Sequence, residues 1–428
     1  MSSDPSSLIE AIVDEANIER AWKQVKANRG APGPDGITLD KFFETFRHHW
    51  PVVWQQLLEG TYRPGTCRRK SIPKPDGGER HLGIPNVVDR LIQQAILQVL
   101  TPIFDPSFSE SSFGFRPGRS AHGATQQIQR TIRSGYRWCV AMDLSKFFDR
   151  VRHDVLMTRV SRRVRDRRLL KLIGRFLRAG VMADGLLQPS TEGTMQGGPL
   201  SPLLANILLD DFDKVLEARG LRFVRYADDF LVFVRSELSA RRVFRSVERY
   251  LTGVLKLAIH RDKSRVRETA GVEFLGYQFH GFGGQIRVSP TSGKKMRQRC
   301  KDILRRSRGC SMRRRLRDLR LYLRGWLSYF ALEQRRTQMT VLDKWLRRRV
   351  RACYWNNWRL PRTRLRKLSA LGVPPAEAYP FAHSGKGPWR LSMTSGVQRA
   401  LTNEWLTAQG LFGLADRWTE LAPKRRTA

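Results

Sequence analysis

The sequence predicts a mixed α+β region followed by an all-helical one. Three observations carry that expectation. Up to about residue 280, short apolar runs of strand length alternate with longer helical periodicities, and two of the runs are joined as a hairpin. Around Gly281–Gly284 and Ser289–Gly293 the composition changes. Beyond that point apolar stripes at spacings of three and four dominate, and no strand pattern recurs.

Taken in order, residues 8–29 read as a helix that gives way to the turn-rich loop Arg29-Gly30-Ala31-Pro32-Gly33-Pro34-Asp35-Gly36. A second helix is predicted over Asp40–Leu58. Ser71–Arg80 holds two short extended pieces around a Pro/Gly turn, a hairpin signal. From Val87 apolar residues recur near every fourth position, which predicts a buried helix with Asn86 as N-cap. Trp138–Leu144 is a short apolar strand, and a helix is expected from His153 through Leu177. Leu200–Leu216 is the next helix, after the Gly197-Gly198-Pro199 break. Leu221–Arg225 and Phe230–Val234 read as strands, the second continuously apolar and so buried on both faces. A helix over about Leu238–Leu257 and strands near Val266 and over Val272–Phe279 complete the sheet domain, with helices expected on one face.

Past the boundary, Met312, Leu316, Leu319, Leu323, Leu327 and Phe330 form one apolar stripe. Arg313, Arg314, Arg315, Arg317, Arg320 and Arg324 are expected on the opposite face. A second helix over Val341–Trp358 places Leu342, Leu346, Val350 and Cys353 inside, with Arg347, Arg348, Arg349 and Arg351 outside. After Leu371-Gly372-Val373-Pro374-Pro375 begins a segment rich in Trp, Lys and Arg.

At 428 residues the chain exceeds one ordinary core. Its net charge of +39 points to a polyanionic partner, and nucleic acid is the natural one. A membrane surface is the competing partner, but no apolar run approaches the ~18 residues of a spanning helix. The N-terminus lacks the basic and apolar regions of a signal peptide, and the five cysteines show no C-x-x-C spacing. Reduced thiols and a cytoplasmic setting are the simplest expectation. The basic charge is concentrated: 26 Lys or Arg against four acidic residues fall between Lys294 and Lys367, marking a local binding surface.

Between the two strands at 221–234 lies Tyr226-Ala227-Asp228-Asp229. Adjacent carboxylates at the tip of a buried hairpin repel one another, and a divalent cation relieves that repulsion. Oxygen-only ligands suit Mg²⁺, which keeps waters and substrate phosphates in its shell. An Asp-Asp pair also occurs in ordinary turns, where the side chains bond nearby amides. Two-metal phosphoryl chemistry calls for a third carboxylate. Asp143 is the candidate, at the end of the Val140-Ala141-Met142 strand, where pairing of the two strands would face it toward the hairpin tip. Asp149, Asp154, Asp210 and Asp211 lack such a setting and are expected to be structural.

With Asp143 upstream of Tyr226-Ala227-Asp228-Asp229, the chain resembles the palm of a reverse transcriptase. Further blocks are similar to bacterial group II intron reverse transcriptases. They are Ile72–Arg80, Leu82-Gly83-Ile84-Pro85, Phe113-Gly114-Phe115-Arg116-Pro117-Gly118-Arg119-Ser120, Met195–Pro202, Lys263-Ser264 and Phe274-Leu275-Gly276-Tyr277. Gly30–Gly36 resembles that family's N-terminal block, and Gly325-Trp326-Leu327-Ser328-Tyr329-Phe330 its thumb.

The resemblance implies a right-hand polymerase: N-terminal extension and fingers over 1–85, palm with remaining fingers elements over 86–290, a helical thumb or maturase domain over 291–372, and a DNA-binding region over 373–428. It implies RNA-directed DNA synthesis with two Mg²⁺, or Mn²⁺ as substitute, on Asp143, Asp228 and Asp229 and the carbonyl of Leu144. Lys74 and Arg80 would hold the triphosphate. Gln196 would touch nucleotide or template, and Arg116 template or fingers. Phe148 would lie under the sugar and exclude a 2′-OH; the alternatives are that Phe147 and Phe148 are both core, or that Phe147 is the ring at the sugar. Implied partners are group II intron RNA, an RNA template with DNA primer, target DNA and dNTPs, in a bacterial ribonucleoprotein associated with the nucleoid and active in splicing and retrohoming.

After Cys353 there is no Cys and only His383, so no zinc-dependent HNH nuclease is expected, a pattern similar to the class C lineage, which relies on opened target DNA. Gly123 departs from the helix former usual at its position. Two alternatives stand beside the intron-encoded enzyme: a domesticated or defence-associated relative free of any intron, and a non-catalytic RNA-binding splicing factor. Group II secondary structure in the RNA flanking the gene separates the first alternative, and loss of an active-site Asp would favour the second.

Overall fold

The computed structural model of the chain describes residues 7–73, 77–183, 186–188, 192–194 and 197–421. The chain forms two compact units, Met1–Thr269 and Ala270–Ala428. Its strands, in chain order, are β1 (Cys67–Pro73), β2 (Glu79–Ile84), β3 (Trp138–Met142), β4 (Val181–Ala183), β5 (Leu186–Gln188), β6 (Arg222–Tyr226), β7 (Asp229–Val234), β8 (Arg265–Glu268), β9 (Glu273–Phe274), β10 (Tyr277–His280) and β11 (Gln285–Val288).

In the first unit the site-bearing sheet has the order β6-β7-β3-β8, all antiparallel. β7 is central, and Phe230 through Val234 are all buried, as a continuous apolar run requires of a strand covered on both faces. Phe212, on the Ser201–Ala218 helix, meets Phe230 edge-on at 5.0 Å and ties that helix to the sheet. A second sheet, β2-β1-β4-β5, contains the hairpin expected at 71–80, with Ile72 opposite Arg80. The buried Val87–Phe104 helix starts after Asn86. The Asn86 side chain does not cap it but faces Asp35 in the N-terminal loop, while Arg90 Nη2 donates to the Ala31 carbonyl at 2.8 Å. That loop is pressed so closely that a Cβ on Gly33 would lie 2.7 Å from the Asn86 backbone.

Two predicted helices are each broken in two. The first divides at Asp14 into Leu8–Val13 and Glu15–Ala27, because Asp14 accepts the Asn17 N–H and restarts the helix as an N-cap. The 153–177 segment divides into His153–Val160 and Arg167–Arg178. There the buried Asp166 carboxylate accepts the N–H groups of Arg168 and Leu169, and also that of Ile9 at 3.0 Å. Gly123 does not loosen its helix: Ser120 caps the Gly123 N–H, and a Cβ there would press on the Phe113 ring at 3.2 Å.

In the second unit β11-β10-β9 form a small sheet bound to helices Met312–Tyr329 and Arg336–Asn357. The Tyr277 hydroxyl donates to the Tyr329 carbonyl, and the buried Glu333 carboxylate accepts the Val288 N–H at 2.5 Å. These ties hold the sheet with the helices, so the contact boundary at 269/270 precedes the compositional change near 281–293. Leu316, Leu319, Leu323, Leu327 and Phe330 are buried, as their spacing predicts.

Two of the arginines expected outside are inside. Arg315 is 3% exposed and donates to Cys353 Sγ at 3.2 Å. Arg351 is buried against the Leu401 carbonyl (2.8 Å) and Asn403 (2.9 Å). Each finds acceptors on another element that helical spacing cannot reveal. The C-terminal helices are tied to the same core, with the Leu414 N–H on Asp343 and the Trp418 indole N–H on the Glu333 carbonyl. Among the described residues no helix is long and apolar enough to cross a membrane.

Candidate active site

The register of the central sheet builds the site. Tyr226 pairs with Asp229, so Ala227 and Asp228 form a two-residue hairpin turn. Ala227 takes φ +58, a left-handed conformation that costs a residue with a Cβ roughly 1–2 kcal/mol. β3 pairs with β7 from Trp138↔Val234 to Met142↔Phe230. Carried one residue further, that register sets Asp143 opposite Asp229, beside the turn that holds Asp228.

Asp143 is pinned by its backbone. Its N–H donates to Ser264 Oγ at 3.1 Å, its carbonyl accepts the His260 N–H at 2.8 Å, and Lys263 Nζ lies 3.8 Å from its carboxylate. Lys263 and Ser264 belong to a block that sequence reading matched without giving it a role. Leu144 forms an isolated antiparallel bridge with Ile259, flanked by His260 N–H to Asp143 carbonyl and Ser145 N–H to Ala258 carbonyl. This is a non-hydrogen-bonded pair, so the Leu144 carbonyl points away from Ile259, to the side of the strand on which β7 lies.

Among the described residues no three acidic, His or Cys side chains are gathered closely enough to hold a metal ion unaided. The donor set is nevertheless all oxygen: two carboxylates side by side across paired strands, a third in the turn, and a carbonyl at the same strand end. Asp143 and Asp228 are half-buried and Asp229 is exposed, which leaves room for water and phosphate ligands. That chemistry fits Mg²⁺ better than a softer ion.

The turn rests on a network that sequence reasoning missed. Arg225 and Asp213 are fully buried and bonded at 2.6–3.0 Å, and Arg225 also reaches Asn206 and the Ala227 carbonyl. Burial pushes the Asp213 carboxyl up from its ordinary value, and the Arg225 charge pulls it back. Asp210, set aside as structural, is likewise pushed up by burial to about 6.

Of the two candidate rings, Phe147 is 2% exposed in the core, while Phe148 is only half-buried and meets it edge-on at 5.1 Å. Gly197, at φ +124, lets the loop approach the Gly83 carbonyl, which a Cβ would reach at 2.5 Å. Arg80 lies on β2, and Lys74 and Gln196 fall outside the described residues. Arg116, expected on template or fingers, has its guanidinium buried on Asp105 (2.7 Å) and on the Ser109 and Ser112 carbonyls, which commits it to the protein interior and not to template.

Two family models match segments of the chain. Residues 72–279 fit the model "Reverse transcriptase (RNA-dependent DNA polymerase)", and residues 293–370 fit "Group II intron, maturase-specific domain". Protein YkfC of Escherichia coli (strain K12) is 32% identical over 338 residues, covering 68% of this chain and 89% of that protein. The chain belongs to the group II intron reverse transcriptase and maturase family. The reverse transcriptase is also 38% identical over 209 residues to the group II intron-encoded protein LtrA of Lactococcus lactis, covering 48% of this chain but 34% of that one. Among solved structures, a chain titled "Partial Cas6-RT-Cas1--Cas2 complex" is 27% identical with a TM-score of 0.37, covering 57% of this chain and 42% of that one.

The maturase-specific domain of this reverse transcriptase carries an outward arginine face. Arg313, Arg314, Arg317, Arg320 and Arg324 are exposed. The first four line a groove of about 610 Å³ with Gln409 and Gly410.

Proposed function

We propose that this reverse transcriptase copies RNA into DNA at the β3–β7 strand ends and, through its arginine-faced helices, binds the intron RNA whose splicing and retrohoming it serves. The sheet register that sets Asp143 beside Asp229 and the Asp228 turn carries the reading. Asp143, Asp228, Asp229 and the Leu144 carbonyl would hold two Mg²⁺. When bound, the ions supply charge stabilisation at the attacking and leaving oxygens. Lys74 and Arg80 act as cations toward the incoming triphosphate. Phe148, the less buried ring, underlies the sugar and rejects a 2′-OH, and Gln196 contacts nucleotide or template. Residues 1–85 act with part of 86–290 as fingers, the rest of 86–290 as palm, 291–372 as thumb and 373–428 as a target-DNA-binding region.

The test is extension of a DNA primer on an RNA template with Mg²⁺. Wild type extends, and Asp228→Asn falls about 10³-fold through loss of several kcal/mol of charge stabilisation. Wild-type extension no better than that of Asp228→Asn overturns the enzyme reading. Splicing of the RNA flanking the gene, at moderate salt with and without the protein, tests the maturase role separately.

A further inference from the structure

We propose that Arg225, Asp213 and Asn206 are positioning residues that lock the Ala227–Asp228 turn in the orientation its carboxylates require, an inference that rests on the polymerase reading above. One guanidinium organises the network. Its Nε–H reaches Asp213 Oδ1 at 2.9 Å and Oδ2 at 3.0 Å, and Nη2 donates to Oδ2 at 2.6 Å. Nη1 is shared between Asn206 Oδ1 at 2.9 Å and the Ala227 carbonyl at 3.0 Å. Asn206 is itself buried and passes the connection on, donating Nδ2 to the Gly114 carbonyl at 2.9 Å.

The same strand position is gripped by its backbone. The Arg225 N–H donates to the Ser111 carbonyl at 2.9 Å, and its carbonyl accepts the Phe113 N–H at 2.9 Å. Residues 111–113 thereby pair along the outer edge of β6, with Ser112 bridged in parallel to Arg225. Gly114 follows directly and lies on the turn itself. A Cβ built there would stand 2.3 Å from the Ala227 nitrogen and 3.0 Å from the Tyr226 carbonyl carbon. Three sequence blocks thus meet at one peptide: Phe113-Gly114, the Ser201–Ala218 helix that carries Asn206 and Asp213, and Arg225-Tyr226-Ala227.

A buried ion pair is a poor route to stability, because well-packed apolar residues of the same volume often serve as well. The guanidinium is held on one edge by Asp213 and at Nη1 by Asn206, and it is this two-sided grip that aims the Nη1 hydrogen bond at the Ala227 carbonyl. That bond fixes the peptide plane joining Ala227 to Asp228. Ala227 is strained at φ +58, so an unclamped turn relaxes toward negative φ and swings that peptide. Asp228 then points elsewhere. The clamp acts on the reaction through the orientation of Asp228 and touches no substrate.

Asn206→Ala removes the shared acceptor and the Gly114 tie while leaving the Arg225–Asp213 pair intact, so the fold persists. Three proteins are compared: wild type, Asn206→Ala, and Asn206→Ala with Ala227→Gly. The measurements are primer extension, Mn²⁺ binding by paramagnetic resonance on protein free of primer and nucleotide, and melting temperature. Asn206→Ala is expected to lower kcat about tenfold and raise the Mn²⁺ midpoint about threefold or more, with dNTP KM within about twofold; melting falls by a few degrees, because the buried Gly114 carbonyl loses its donor, and stays above the assay temperature. Adding Ala227→Gly, which accepts positive φ without strain, regains about threefold in kcat.

The proposal is overturned if Asn206→Ala leaves kcat and the Mn²⁺ midpoint within about twofold of wild type. It is equally overturned if activity falls only with the folded fraction and Ala227→Gly restores none of it. Should Asn206→Ala fail to fold, Gly114→Ala replaces it: it presses on the turn while leaving the ion pair whole. A raised Mn²⁺ midpoint in folded Gly114→Ala protein supports the clamp, and an unchanged midpoint refutes it. Absence of extension by wild type itself counts against the polymerase reading, and the Mn²⁺ comparison still decides the clamp.

Discussion

Phe147 and Phe148 are adjacent and chemically identical, yet only one can face a substrate. Phe147 is sealed in the core, and Phe148 remains half-buried. Phe148→Val is therefore expected to raise kcat/KM for a ribonucleotide, relative to its deoxynucleotide, by about 10–100-fold, as removal of a steric barrier of one to three kcal/mol should. Phe147→Ala should instead destabilise the fold by about 3–5 kcal/mol without changing that ratio. Competition between CTP and dCTP, with a urea melt alongside, checks both. Sequence could not separate the rings, because two consecutive aromatics carry no periodicity. The place of Asp143 at the end of β3 was legible, since an apolar run that stops at a carboxylate is a local signal. Asp213 was not: it sits in a helix among Asp210 and Asp211, and its partner is twelve residues away on a different element.

The strands of the central sheet and the hairpins at 71–80 and 226–229 were readable because their signals are local, whereas β4, β5 and β11 and the turn between β9 and β10 were not anticipated. The apolar run 230–234 and the turn at 227–228 emerge where alternation and turn chemistry place them. Helix interruptions were harder to read. At Asp14 and Asp166 the apolar period continues across the break, and a short capping side chain divides the helix. Asp166 also satisfies the Ile9 N–H, 157 positions away, a partner no local window contains. Asp166→Ala should thus cost more than an ordinary cap, about 2–4 kcal/mol, because it orphans a buried donor as well. A shift in the urea midpoint measures it, and a loss below about 1 kcal/mol would show that the carboxylate does not join the two segments.

Net charge predicted a polyanionic partner, and composition suffices for that inference because it needs no geometry. Which arginines face outward does need geometry: Arg315 and Arg351 are buried, while Arg313, Arg317 and Arg320 are exposed. Replacing those three with Gln should flatten the plot of log affinity for structured RNA against log salt by about 2–3, one phosphate contact each. Arg315→Gln should lower stability and leave the slope alone. The account as a whole depends on the register that brings Asp143 to Asp229. Its most direct test is single-nucleotide incorporation by Asp143→Asn, on an RNA template, at a melting temperature matching wild type. A rate at least ~10³-fold below wild type is predicted. Incorporation within about tenfold of wild type would contradict the assignment.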